Sequence, residues 1–137
     1  MYHIGDIMKK LDLYKCEICG NIVEVVISGG GELVCCGKPM TKLEPQQNEE
    51  ALTEKHVPIF LKNENNETEI RVGEVLHPMT EEHYIMFIEA ISKDENEVHR
   101  KYLYANNEPK MLTQKSSDEI FAREYCNIHG LWGTKND

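Results

Sequence analysis

The chain has 137 residues, 15 of them basic and 24 acidic, for a net charge of -9; that length is one ordinary domain, or a small module attached to a larger one. Both parts are acidic, with five basic against eight acidic residues in 1–50 and ten against sixteen in 51–137. No lysine and arginine cluster supplies the basic face that a nucleic acid or an anionic membrane would require, so both are excluded as partners.

In chain order, the first thirteen residues mix polar and apolar side chains, with Asp6, Lys9, Lys10 and Asp12, and lack the apolar core of an export signal. No later stretch is long enough to span a bilayer. The expected location is therefore the cytoplasm, where thiols stay reduced and metal ligation is favoured over disulfides. Residues 14–43 read as short strands around turns. Ile22 to Ile27 is a β-branched run, Ser28-Gly29-Gly30-Gly31 a hairpin turn, and Leu33-Val34 leads into Cys35. The triple glycine lacks the lysine and following helix of a phosphate-binding loop.

Four of the five cysteines lie in this module. Cys16 and Cys19 form a C-x-x-C, followed after fifteen residues by Cys35-Cys36. Two such pairs suit one tetrahedral zinc or iron ion, and a module of some 45 residues needs such a staple, because a core of that size alone rarely suffices. Adjacent residues in an extended segment point their side chains oppositely, so placing both Cys35 and Cys36 on one ion predicts a local backbone kink. A purely structural zinc knuckle and a redox disulfide pair are the alternatives that spacing leaves open.

Pro45-Gln46-Gln47-Asn48-Glu49-Glu50 is polar and reads as a linker. Beyond it, segments near 57–62, 67–76, 83–92, 97–105, 109–114 and 119–125 are rich in Val, Ile, Tyr and Phe between Asn, Asp, Glu and Pro clusters, a pattern that predicts an antiparallel β-sandwich. The run 84–91 alternates only partly and could also be helical, but its flanking strands and β-branched content favour a strand. No helix of appreciable length is expected. The expected organisation is a metal module over 1–44, a linker over 45–50 and a sandwich domain over 51–137.

The sandwich half also contains His56, His77, His83, Cys126 and His129, each beside a predicted β element. Four imidazoles and one thiolate would leave one position open on an octahedral ion, as redox chemistry on a small molecule requires. His3 and His99 lack comparable partners and read as ordinary.

At these residues the chain resembles a known family. Cys16-x-x-Cys19 with Cys35-Cys36, Glu54-Lys55-His56-Val57-Pro58, His77-Pro78-Met79, His83-Tyr84-Ile85 and Cys126-Asn127-Ile128-His129-Gly130 are similar, in order, to desulfoferrodoxin, the two-iron class of superoxide reductase. The resemblance covers roughly residues 13–132. It implies an all-β fold, with a rubredoxin- or desulforedoxin-like module followed by an immunoglobulin-like antiparallel β-sandwich. It also implies two irons: centre I held by Cys16, Cys19, Cys35 and Cys36, and centre II by equatorial His56, His77, His83 and His129 with axial Cys126. Glu54 would bind the open position of the oxidised iron and Lys55 would assist superoxide. A homodimer and a small redox-protein donor such as rubredoxin are further implications. The departures are an N-terminal extension carrying His3 and the acidic Thr80-Glu81-Glu82 before His83.

The implied reaction is the reduction of superoxide by one electron and two protons to hydrogen peroxide, without dioxygen. On a chain of charge -9, Lys55 is the group that would make the potential at the open site attractive to an anion. Two rival readings are a cupredoxin-like electron carrier, which needs two histidines, one cysteine and usually an axial methionine, and a zinc-ribbon adaptor in which the histidines are incidental. No methionine follows His129.

Overall fold

Every regular element among the described residues is a β-strand except one 3₁₀ turn, Ser117–Glu119. The computed structural model describes residues 7–47, 56–73 and 79–134, and the chain divides into two compact units, Met1–Glu44 and Pro45–Asp137. Among the described residues no helix is long and apolar enough to cross a membrane.

In the first unit β1 (Leu13–Lys15) is flanked antiparallel by β2 (Ile22–Glu24) and β5 (Thr41–Leu43), and a separate hairpin pairs β3 (Val34–Cys35) with β4 (Lys38–Pro39). Its buried apolar side chains among the described residues are Leu13, Tyr14, Cys16 and Val25. So small an apolar core rarely holds a module of this size by itself. A cross-link must supply the rest. The β-branched run differs from expectation: the strand stops at Glu24, and Val26 and Ile27 are exposed. The glycine run is also not a hairpin turn between paired strands. β2 pairs with β1, and β3 turns back onto β4, because the left-handed Gly30 and Gly31 (φ 86° and 83°) redirect the chain without bringing its flanks into register.

The second unit stacks two antiparallel sheets. β10 (Lys110–Thr113), β7 (Thr68–Val72) and β6 (Pro58–Lys62) form one; β12 (Gly130–Gly133), β11 (Ile120–Cys126), β8 (Ile85–Ser92) and β9 (Val98–Tyr102) form the other. This is the expected immunoglobulin-like sandwich. Ile70, Val72 and Met111 from the first sheet meet Ile85, Ile88, Ala90, Ile120 and Ala122 from the second, with Leu103 and Cys126 in the same cluster.

The partial alternation of 84–91 has a structural cause. Tyr125 pairs with Phe87 but Cys126 pairs with Ile85, so Met86 is an extra residue on β8. That bulge lets Ile85 and Ile88, three apart in sequence, both face the core. It lies directly opposite Cys126.

Two further differences bear on the site. β12 (Gly130–Gly133) is a strand beyond those expected, its glycine ends giving no β signal by composition. The polar stretch after Leu43 is also not free throughout: Gln46 forms a parallel bridge with Trp132, its N–H donating to the Leu131 carbonyl and its own carbonyl accepting from Gly133. Gly133 permits this approach, because a Cβ there would lie 2.9 Å from Pro45.

Candidate metal centres

The structure brings Cys16, Cys19, Cys35 and Cys36 together, their sulfurs all within 4.8 Å of one another. The first pair is set by a knuckle. The Gly20 N–H donates to the Cys16 carbonyl at 2.9 Å, and the Cys19 N–H points at the Cys16 sulfur at 3.5 Å. The second pair shows the expected kink: Cys36 has φ 54° and Gly37 φ 77°, the two positive values that a tight two-residue hairpin between β3 and β4 requires. In the left-handed region Cys36 no longer points away from Cys35, and their sulfurs lie 4.0 Å apart, with Cys19 and Cys35 at 3.6 Å.

Crowding polarises these thiols. The backbone N–H of Cys19, then that of Ile18, lowers Cys16 to about 6, whereas hydrogen bonding with Cys19 and Cys16 raises Cys35 and pushes Cys36 up to about 12. One thiolate is welcome, and further ones repel. A cation at the centre of four such sulfurs reverses that repulsion, so the donor set fits a thiolate-bound iron or zinc. Replacing Gly37 with alanine tests how the turn shapes this site. The Cβ would meet nothing within 4 Å, so the cost is backbone strain alone, about 1–2 kcal/mol. We expect faster metal loss from the four-cysteine site under chelator challenge, with the second site unaffected; equal loss rates would show that the turn does not shape the site.

The second group joins His56, His83, Cys126 and His129, again within 4.8 Å. His56, fully buried, precedes β6; His83 precedes β8; Cys126 ends β11; and His129 lies in the turn to β12. The Nδ1 of His129 is 3.1 Å from Nε2 of His56 and 3.9 Å from the Cys126 sulfur, which the His129 N–H approaches at 3.4 Å. The imidazoles of His56 and His83 meet that of His129 edge-on, at 4.7 and 5.1 Å. Three imidazoles and a thiol converging on one point are a donor set suited to iron.

Neighbouring side chains hold the loops. Asn127 accepts from the Tyr84 N–H at 3.0 Å and donates to the Glu82 carbonyl at 3.0 Å, tying the Cys126 turn to the His83 turn, which Thr80 closes through two backbone bonds. Trp132 stacks on His56, and both Trp132 and Gln46 bond the His129 carbonyl. Sequence reasoning missed Asn127, Trp132 and Gln46; the position of Asn127 between two ligands and the presence of a single tryptophan were the available signals. His99 lies exposed on β9, an edge strand of the four-stranded sheet. Glu54, Lys55 and His77 lie outside the described residues.

These features define a class: a two-centre, non-haem metalloprotein with a four-thiol module preceding an immunoglobulin-like sandwich that carries a histidine and cysteine site. The donor sets are those of the two expected iron sites, with three of the four imidazoles of the second among the described residues. Residues 48–135 match the family profile of desulfoferrodoxin and residues 8–43 that of the desulfoferrodoxin N-terminal domain. The chain belongs to the desulfoferrodoxin family. A desulfoferrodoxin homolog from Archaeoglobus fulgidus is 52% identical over 122 residues, covering 89% of this chain and 94% of the relative. A superoxide reductase from Pyrococcus furiosus is 31% identical over 104 residues, 58% of this chain and 84% of that protein. The crystal structure of the superoxide reductase from Treponema pallidum is alike in fold, with a TM-score of 0.66 and 24% identity over 92% of this chain and 98% of that one.

Proposed function

We propose that the chain is a superoxide reductase, converting superoxide, one electron and two protons to hydrogen peroxide without forming dioxygen. The observation that carries this reading is the convergence of His56, His83 and His129 with Cys126 in a member of the desulfoferrodoxin family. Iron held by these residues would supply the electron. Cys126 is a soft, electron-rich donor that favours giving charge to a substrate, and the neutral imidazoles add no charge that would repel an anion.

His77 is the proposed fourth imidazole. Lys55 is proposed to attract superoxide by its positive charge, an effect that rising ionic strength weakens. Glu54 is proposed as the carboxylate that occupies the open position in the oxidised protein; an unchanged ferric spectrum in Glu54→Ala would count against it. In this reading residues 1–44 form the centre I module, 45–50 the linker and 51–137 the reducing domain. A small redox protein such as rubredoxin is the proposed donor. We place the protein in the cytoplasm, where a reducing environment keeps the thiols of both sites available as metal ligands. The exposed Val26, Ile27 and Val34 of the first unit support a homodimer, which sedimentation across a range of concentrations would test.

A third clustered imidazole, His83, distinguishes the site from a cupredoxin's two histidines. The deciding experiment is the product balance when the reduced protein consumes superoxide from pulse radiolysis. One peroxide per superoxide, with no dioxygen, is expected. Half as much peroxide accompanied by dioxygen would mean dismutation and overturn the reading.

A further inference from the structure

We infer that Gln46 and Trp132 are positioning residues of the histidine and cysteine centre, acting together through the carbonyl of His129. This rests on the reading of that centre as a metal site. The Trp132 indole N–H donates to the His129 carbonyl oxygen at 3.1 Å, and the Gln46 amide donates to the same oxygen at 2.9 Å. Two donors satisfy both acceptor positions of one carbonyl, which fixes the peptide plane between His129 and Gly130.

That plane matters because His129 presents Nδ1 to the cluster. Nδ1 is the ring nitrogen nearest the backbone, so few torsions separate it from the peptide, and a rotation of the peptide moves the donor atom almost directly. Trp132 also acts on a second member of the group: its ring lies on His56 at a centroid distance of 5.0 Å and an interplanar angle of 21°. One buried tryptophan thus braces two ligands whose nitrogens lie 3.1 Å apart.

The sequence around the clasp is cut to fit it. Gly130, at φ 86°, closes the turn, and a Cβ there would come within 3.2 Å of the Gln46 amide nitrogen; Gly133 makes room for Pro45 in the same way. The Gln46 amide reaches the Leu131 carbonyl as well, at 3.1 Å, and Gln47 bonds the Thr134 carbonyl at 3.0 Å. Pro45-Gln46-Gln47, a plain polar linker by composition, is therefore a strap running parallel to β12, from which the Gln46 side chain reaches the ligand turn.

The test is made on the full chain carrying both metals, with Gln46→Met, which keeps length but removes the donor, and Trp132→Phe, which keeps a ring over His56 but removes the N–H. Readouts are ferrous-ion affinity of the centre by competition with a chelator, its reduction potential, and its thiolate-to-iron charge-transfer absorption. The four-cysteine centre serves as internal control. Each variant is expected to weaken affinity at the histidine and cysteine centre by about tenfold or more, as for loss of an outer hydrogen bond of a metal site, and to shift its absorption and potential while the control stays put. Should Trp132→Phe fail to fold, Gln46→Met decides alone. Unchanged affinity, spectrum and potential would overturn the inference, as would a parallel loss at the control centre, which would mean general destabilisation. A wild-type protein that binds no iron at this centre would instead sink the underlying reading.

Discussion

Cys126→Ser removes superoxide reduction while leaving the absorption of the four-cysteine centre intact. Cys126 is fully buried at the end of β11, opposite the β8 bulge, and belongs to the apolar core cluster of the sandwich. Serine nearly conserves its volume, so the fold is retained and the change tests chemistry. A hydroxyl does not ionise in the range where a thiol does, and it is a harder, poorer donor to iron. The His129 N–H that now approaches the sulfur at 3.4 Å would face an oxygen on a shorter bond, which also withdraws the donor atom from the three imidazoles. Substitutions outside the ligand set of metal sites cost about 10–100-fold, and loss of the thiolate itself should exceed that range. The check is the rate of superoxide consumption after pulse radiolysis, with iron per chain measured on the same sample. A rate within a few-fold of the parent would show that Cys126 is not the electron-donating ligand and would return the site to a structural role.

The parts legible in the sequence are those in which chemistry or a simple repeat fixes the outcome. Cysteine spacing gave the four-thiol group, and even its kink followed from the adjacency of Cys35 and Cys36. The β-branched segments of the second unit became strands within a few residues of their expected bounds, because each has a core face to bury. What stayed hidden depends on partners distant in sequence. The broken alternation of 84–91 is a bulge that only pairing with β11 reveals. β12 is short and bounded by glycines, so by composition it reads as a tail; it is a strand because β11 lies on one side and Gln46 on the other. Gln46 itself carries no local signal, since its partners are more than 80 residues away. In the first unit the run 22–27 misled, because β propensity there exceeds the surface available to cover it, and Ile27 stays 86% exposed.

Glu89→Ala should destabilise the sandwich strongly, although Glu89 lies outside the ligand sets. Glu89 is fully buried in the middle of β8, and its two carboxylate oxygens bond Arg100 of β9 at 2.8 Å and Arg123 of β11 at 2.5 Å. The register makes this a cross-strand row, since Glu89 lies directly opposite both arginines. Whether such a triad stabilises the fold relative to apolar side chains is a separate matter, because desolvation offsets much of the attraction. Breaking it is costly regardless. Arg123 has only 11% of its side chain exposed and would lose its bond to the Glu89 carboxylate, and removing one partner of a buried ion pair costs about 3–5 kcal/mol. At about 4–8 °C per kcal/mol for a domain of this size, the melting temperature should fall by more than about 10 °C. The surface pair Lys115 with Glu97, whose side chains are 27% and 57% exposed, provides the contrast: Lys115→Ala should cost less than about 1 kcal/mol. Because β8 and β11 also frame the bulge and Cys126, Glu89→Ala should release metal from the histidine and cysteine centre before the sandwich melts, whereas Lys115→Ala should not. Calorimetry with parallel metal-release traces separates the two. A Glu89→Ala shift no larger than that of Lys115→Ala would mean that the two arginines find water or other acceptors, and that the sheet draws its rigidity from the apolar core alone.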